Sequence, residues 1–321
     1  MGEIVNGTWV SDYSGAEIDE RLSRATPEGT VGRNLLDNAY FIGGGTAGAF
    51  PVNQRYPQTQ WNGAAHTIDR WRTWVPEQVT SVTASGFEIA VPANASDLGS
   101  VCQYFDTFPV PVGQPVTFSV LTADDDLVTE TGNYNGTSFE MRKSASWGQI
   151  YAYDVGSGAY QKGVIIVVNK GVTKTFAAAK LELGSMQTLA RQVNGAWVLN
   201  DPLPNYGEEL AKCQRYLHII KTDNADGALI GSGYVNSGVS KKQILITIYS
   251  PVTMNPITSL QTSGVGAISD GATRALDAAS IFAQAGNIIT LDLTSNVAIS
   301  TDFAPATAYI LNGGFIILSA E

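Results

Sequence analysis

Reactive and charged residues are scarce in this chain. Cysteine occurs twice, at Cys102 and Cys213, which is too few for a disulfide framework, so each reads as a buried free thiol. Histidine also occurs twice, at His66 and His218, each among apolar neighbours. A metal centre needs three or four convergent ligands, and the sequence holds no such cluster. No G-x-S-x-G nucleophile elbow occurs, and the glycines at 43–45 follow a strand without opening a helix, so they are no phosphate loop. No enzyme, cofactor or metal is expected. No apolar run approaches the ~20 residues of a membrane helix, so no membrane insertion is expected. The opening MGEIVNGTWV lacks the basic and apolar regions of a secretory signal, which predicts synthesis in a cytoplasm. Only 15% of residues are charged and the net charge is −10, so a nucleic-acid backbone would be repelled and is not a direct partner.

What remains is glycine and apolar residues. Thirty-three glycines and 44% hydrophobics are the composition of strands joined by small-residue turns. The chain is organised around residues 174–217. TKTFAAAKLELGS reads as the last strand of one β domain, and NYGEELAKCQRYL as a short helix opening a second. Asn205 can cap that helix, with Glu208 at its third position. Tyr206, Leu210, Cys213 and Leu217 form one apolar stripe along it.

The fold class is therefore all-β, in four parts. Residues 1–33 form an N-terminal arm in which Ser14 and Glu17 cap a short helix, and Ile18, Leu22 and Ala25 stripe one side. That helix is too short to stand alone in water and needs a partner surface. Residues 34–187 hold eight or nine strands, alternating as in Phe87, Ile89 and Val91, which argues a jelly-roll-like β-sandwich. The run Val164–Val168 reads as a strand buried on both faces. Residues 188–205 read as a linker with Trp197, Pro202 and Pro204. Residues 206–321 carry the opening helix and a second antiparallel β-sandwich, where Ile289, Leu291 and Leu293 alternate with Thr290, Asp292 and Thr294.

Candidate binding residues are aromatic. Sugars stack their C–H faces on rings while amides hold hydroxyls. Trp147, Tyr151, Tyr153 and Tyr160 make one such group, with Tyr151 and Tyr153 projecting from the same face of a strand. Tyr56 and Trp61, with Gln60 and Asn62, make another. Each group also reads as sandwich core. Around Trp71, strand alternation puts Asp69, Trp71 and Thr73 on one side. Arg70, Arg72 and Trp74 then fall on the other, where an arginine and Trp74 can form a cation–π pair. Asp124–Asp126 reads as a solvated turn or a calcium site.

NLLDNAYF, VNQR, HTIDRWRTW, AKLELGS and NYGEELAKCQRYL, in that order, together resemble bacteriophage and prophage tail-fibre or receptor-binding proteins. In that group a carbohydrate-binding-module-like jelly roll precedes a small C-terminal β domain, and YSGAEIDERL resembles the helical connector before it. The resemblance implies a virion protein made in the host bacterial cytoplasm. It implies a homotrimer that joins other virion proteins through its N-terminal arm and touches host-surface glycan. A head-fibre, collar or tail-assembly subunit contacting only virion proteins is the alternative. A polysaccharide depolymerase ranks third, because no acid pair stands out.

Overall fold

The computed structural model describes residues 3–5, 8–10, 32–136, 138–157, 160–221, 228–236, 243–269, 272–295 and 305–320. The helix expected between Ser14 and Pro27 lies outside them. A short antiparallel hairpin, β1 (Glu3–Val5) and β2 (Thr8–Val10), is described before it. The chain's contacts divide it into two compact units, Met1–Pro51 with Gln58–Pro204 and Val52–Pro57 with Asn205–Glu321.

The strands of the first unit follow in chain order. They are β3 (Gln60–Asn62), β4 (Arg72–Thr73), β5 (Val79–Thr83), β6 (Gly86–Ala90), β7 (Gly99–Tyr104) and β8 (Pro115–Thr122). Then come β9 (Leu127–Asn133), β10 (Phe139–Ala145), β11 (Gly148–Asp154), β12 (Lys162–Val168) and β13 (Thr173–Leu183). They form a six-stranded sheet in the order β3-β5-β6-β13-β8-β9 and a five-stranded sheet in the order β10-β11-β12-β7-β4. All their pairings are antiparallel.

Alternation along each strand decides which side chains enter the core. Phe87, Ile89, Phe118, Val120, Phe176 and Leu181 come from the larger sheet, and Val101, Ile150, Val164 and Ile166 from the smaller. All are buried in one cluster between them. Each such side chain contributes roughly 1.5–3 kcal/mol by leaving water, which holds the two sheets face to face. The tight turn from β5 to β6 depends on Gly86. Its φ is +147°, and a Cβ there would lie 2.1 Å from the Phe176 carbonyl oxygen.

The stretch expected as a linker is folded onto the first unit. β14 (Ala190–Val193) and β15 (Ala196–Leu199) form a hairpin around Asn194–Gly195, whose φ angles of 53° and 85° suit a primed two-residue turn. Leu189 and Ala190 are buried with Leu121, Ala177 and Ala178, and Trp197 and Leu199 pack against them. The hairpin therefore covers the outer face of the six-stranded sheet over β8 and β13.

The second unit opens with α1 (Tyr206–Gln214). The Asn205 side chain accepts from the Gly207 and Glu208 amides at 2.9 and 3.3 Å. Of the expected apolar stripe, Cys213 is buried and Tyr206 and Leu210 are half-buried, while Leu217 is buried beyond the helix, in the strand that follows. The strands that follow are β16 (Leu217–Lys221), β17 (Ala228–Asn236), β18 (Gln243–Tyr249), β19 (Ser259–Ser269), β20 (Ala272–Ala285), β21 (Ile288–Ser295) and β22 (Pro305–Ser319). The expected second sandwich is corrected here. The described strands form one seven-stranded sheet, because β22 is long enough to pair with β16 and β17 along one edge and β19 along the other. The ladder β22-β17-β18-β21-β20-β19 thus returns to β22. Ile244, Ile246, Ile248, Ile289, Leu291, Leu293 and Ile310 fill its core, in the alternation read from sequence.

Candidate functional site

The outer face of the five-stranded sheet carries the densest set of open rings among the described residues. Register aligns one row across all five strands. It runs from Arg142 on β10 through Tyr151 on β11, Ile165 on β12 and Cys102 on β7 to Arg72 on β4. A neighbouring row holds Glu140, Tyr153, Gly163 and Tyr104. Gly163 adds no side chain between the two tyrosines; a Cβ there would meet Tyr104 Cδ1 at 3.1 Å and Tyr153 Oη at 3.5 Å.

Two ring clusters stand on this face. Tyr151 and Tyr153 stack with centroids 5.0 Å apart and planes at 16°. The Arg142 guanidinium lies 4.6 Å from the Tyr151 ring and pairs with Glu140 at 2.9 Å. At the other edge Trp74, Tyr104 and Tyr160 meet edge to face, with centroids 4.9–6.2 Å apart. Arg72 completes this cluster, 3.8 Å over Trp74, with its Nη1 donating to Tyr160 Oη at 3.2 Å. This is the cation–π pair expected at Trp74. Trp74 is 38% exposed and Tyr160 45%, so both offer ring surface to solvent.

The two clusters are tied together. Tyr153 Oη donates to the Tyr160 carbonyl at 3.0 Å. Trp74 Nε1 donates to Tyr104 Oη at 2.5 Å and points at Cys102 Sγ at 3.2 Å. Burial beneath these rings pushes the Cys102 thiol up to about 11, so it stays protonated. Burial likewise raises the phenols of Tyr104 and Tyr153, so both remain neutral hydroxyls.

The residues named from sequence separate. Tyr151, Tyr153 and Tyr160 belong to this face, but only Tyr160 is exposed; Tyr151 is half-buried and Tyr153 is buried, so Tyr153 offers little ring surface to a ligand. Trp147 is corrected to core: it is buried, edge-on to Phe176 at 5.1 Å, and donates Nε1–H to Asp126 Oδ2 at 2.9 Å. Trp61 is also core, its ring inside the sandwich while Gln60 and Asn62 on either side are exposed, because a strand alternates. Tyr56 is half-buried and groups with the second unit, where its carbonyl accepts from Lys221 Nζ. The second group therefore makes no platform. Val164–Val168 is buried on one face only; Ile165 and Val167 are half-buried on the outer one. Asp124, Asp125 and Asp126 point three ways, to Lys174, to the Trp197 amide and to Trp147. Among the described residues no cluster of metal-ligating groups is found.

Sequence reading missed Tyr104 and Arg142. The signal for Tyr104 was present in SVCQYF, where Val101 faces the core and Cys102 and Tyr104 alternate away from it. What sequence could not give was that β4 pairs with β7, which brings Arg72 and Trp74 to the face of Tyr151.

No protein-family model matches the chain. A search of curated proteins returns no match. No solved structure matches either.

Proposed function

We propose that this chain is a virion appendage protein of the tail-fibre kind that attaches to host-surface glycan through the outer face of its five-stranded sheet. The single observation that carries this reading is the open platform of Trp74, Tyr160 and Tyr151, flanked by Arg72 and Arg142. Rings give a sugar apolar contact at low conformational cost, and fixed polar groups orient its hydroxyls. The phrases AKLELGS and NYGEELAKCQRYL supply the likeness to appendage proteins. On this reading the two facing sheets are a carbohydrate-binding-module-like jelly roll, residues 1–33 are the arm that joins other virion proteins, and the protein is a homotrimer.

The platform's composition also favours a second reading. Trp, Tyr and Arg are the residues enriched at the centres of protein interfaces, which suits a structural subunit contacting only virion proteins. A glycan array probed with the full chain, alongside competition of phage adsorption to host cells, separates the two. Selective glycan binding lost in Trp74→Ala supports attachment. An empty array with a stoichiometric complex to a virion protein, disrupted by Trp74→Ala, supports the structural role.

A further inference from the structure

Resting on the glycan reading, we infer that the ligand is an acidic polysaccharide, lying across the strands with a guanidinium at each end of its footprint. The register carries this. Arg142 and Arg72 occupy the two ends of one cross-strand row, with Tyr151, Ile165 and Cys102 between them on the outer face, Cys102 buried beneath the Trp74 ring. Five adjacent strands span four spacings, or about 19 Å at ~4.8 Å each. That length suits several sugar units and exceeds a single one.

The state of the two arginines names the chemistry. Arg72 has no carboxylate partner among the described residues; its cation is held by the Trp74 ring and the Tyr160 hydroxyl instead. A guanidinium fixed between rings is oriented before any ligand arrives, and its planar fork matches a carboxylate. Arg142 is paired with Glu140, but both side chains are about half exposed, at 50% and 48%. Such a pair is weak and gives way readily to a ligand carboxylate. Neutral sugars need hydroxyl-binding amides more than bare cations. The overall charge of −10 opposes an acidic polymer at long range, yet screening over about 8 Å at physiological salt leaves contacts at the face dominant.

Affinity electrophoresis of the full chain tests this. The gels contain polygalacturonate, hyaluronate or polysialate, the carboxyl-reduced form of each, or neutral dextran and mannan. We expect retardation by at least one acidic polymer, lost on carboxyl reduction and weakened by added salt. Arg72→Gln and Arg142→Gln should each weaken it about 10- to 100-fold, the range of a hydrogen bond to a charged group. Unchanged melting of both variants excludes unfolding as the cause, and Arg142 on the exposed edge serves if Arg72→Gln folds poorly. Equal retardation by acidic and reduced polymers, or arginine variants that bind like the parent, overturns the inference. If neutral polymers bind and only Trp74→Ala or Tyr151→Ala abolishes it, the glycan reading stands and the acidic one falls. If no polymer binds, both fall.

Discussion

The two outer faces of the first unit are built from the same kind of strand and treated in opposite ways. On the five-stranded sheet, Trp74 and Tyr160 are exposed and hold each other edge to face, and the half-buried Tyr151 stacks on Tyr153. On the six-stranded sheet, the β14–β15 hairpin folds down and buries charge. Lys180 and Glu182 point outward from β13 yet are fully buried. Lys180 Nζ reaches Asp201 at 2.5 Å and Thr188 Oγ1 at 2.9 Å. Glu182 accepts from the Thr188 amide and hydroxyl at 2.6 and 2.5 Å. Ser119 and Thr117 stand beside them in register and continue the polar row to Thr129 and Thr131. The hairpin also leaves a cleft of about 480 Å³ lined by Ile42, Leu121, Ala177, Trp197 and Leu199, where the Asp125 carboxylate is already engaged by the Trp197 amide. Beneath the hairpin the Lys180 ammonium and the Glu182 carboxylate each have polar partners, though Asp201 itself is 46% exposed. An open ring cluster presents surface for something else to cover. On the reading proposed above, one face serves structure and the other recognition.

The largest expected effect is on the covered face. Lys180→Met removes the cation between Glu182 and Asp201 and strands a buried carboxylate. It should cost about 3–5 kcal/mol, read by denaturant unfolding of the full chain. A loss under 1 kcal/mol would mean the hairpin does not close that face in solution.

On the open face the effect moves from stability to binding. Trp74→Ala or Tyr151→Ala should weaken glycan binding by roughly 1–3 kcal/mol, by analogy with stacking of bases on rings, with little change in melting temperature. Trp74→Ala also uncovers Cys102, so thiol labelling at alkaline pH should accelerate from a slow parental rate.

Trp147→Phe sharpens the distinction between rings. It removes the Nε1 donor to Asp126 and some core volume, and should cost roughly 1–3 kcal/mol of stability while leaving binding intact.

The smallest effect is a pH slope. Burial raises the Glu182 pKa above its usual value, with Lys180 only partly opposing. The folded state then holds this proton more tightly than the unfolded one. Its contribution is fully present below the ordinary carboxylate range and is lost as pH rises through the folded pKa. Glu182→Gln should flatten stability over that window relative to the parent. An identical pH profile in the variant would place Glu182 in contact with water.

The sequence carried the strands well because alternation is local. Phe87–Ile89 and Ile289–Leu291–Leu293 turned inward as their spacing implied, and Asn205 capped α1. The hairpin was also legible, since Asn194–Gly195 between Gln-Val and Ala-Trp is a strong two-residue turn signal. The prolines and polar residues around it suggested a linker instead. Burial of Lys180 was not legible, because a charged residue on an outer strand position is buried only by what later folds over it. The proposed binding face was half legible. Tyr151 and Tyr153 share a strand, but Arg72 and Trp74 join them through pairing between residues about thirty positions apart. Trp147 followed the same aromatic pattern and went inward, since the turn into β11 aims it at Phe176.

The contrast between the faces is tested most directly by oxidative footprinting of tryptophan and tyrosine rings, read by mass spectrometry with and without a binding polysaccharide. Protection at Trp74, Tyr151 and Tyr160, with Trp197 unchanged, is the expected result. Protection at Trp197 or at Tyr249 of the second unit, with the outer rings of the five-stranded sheet still reactive, would contradict it.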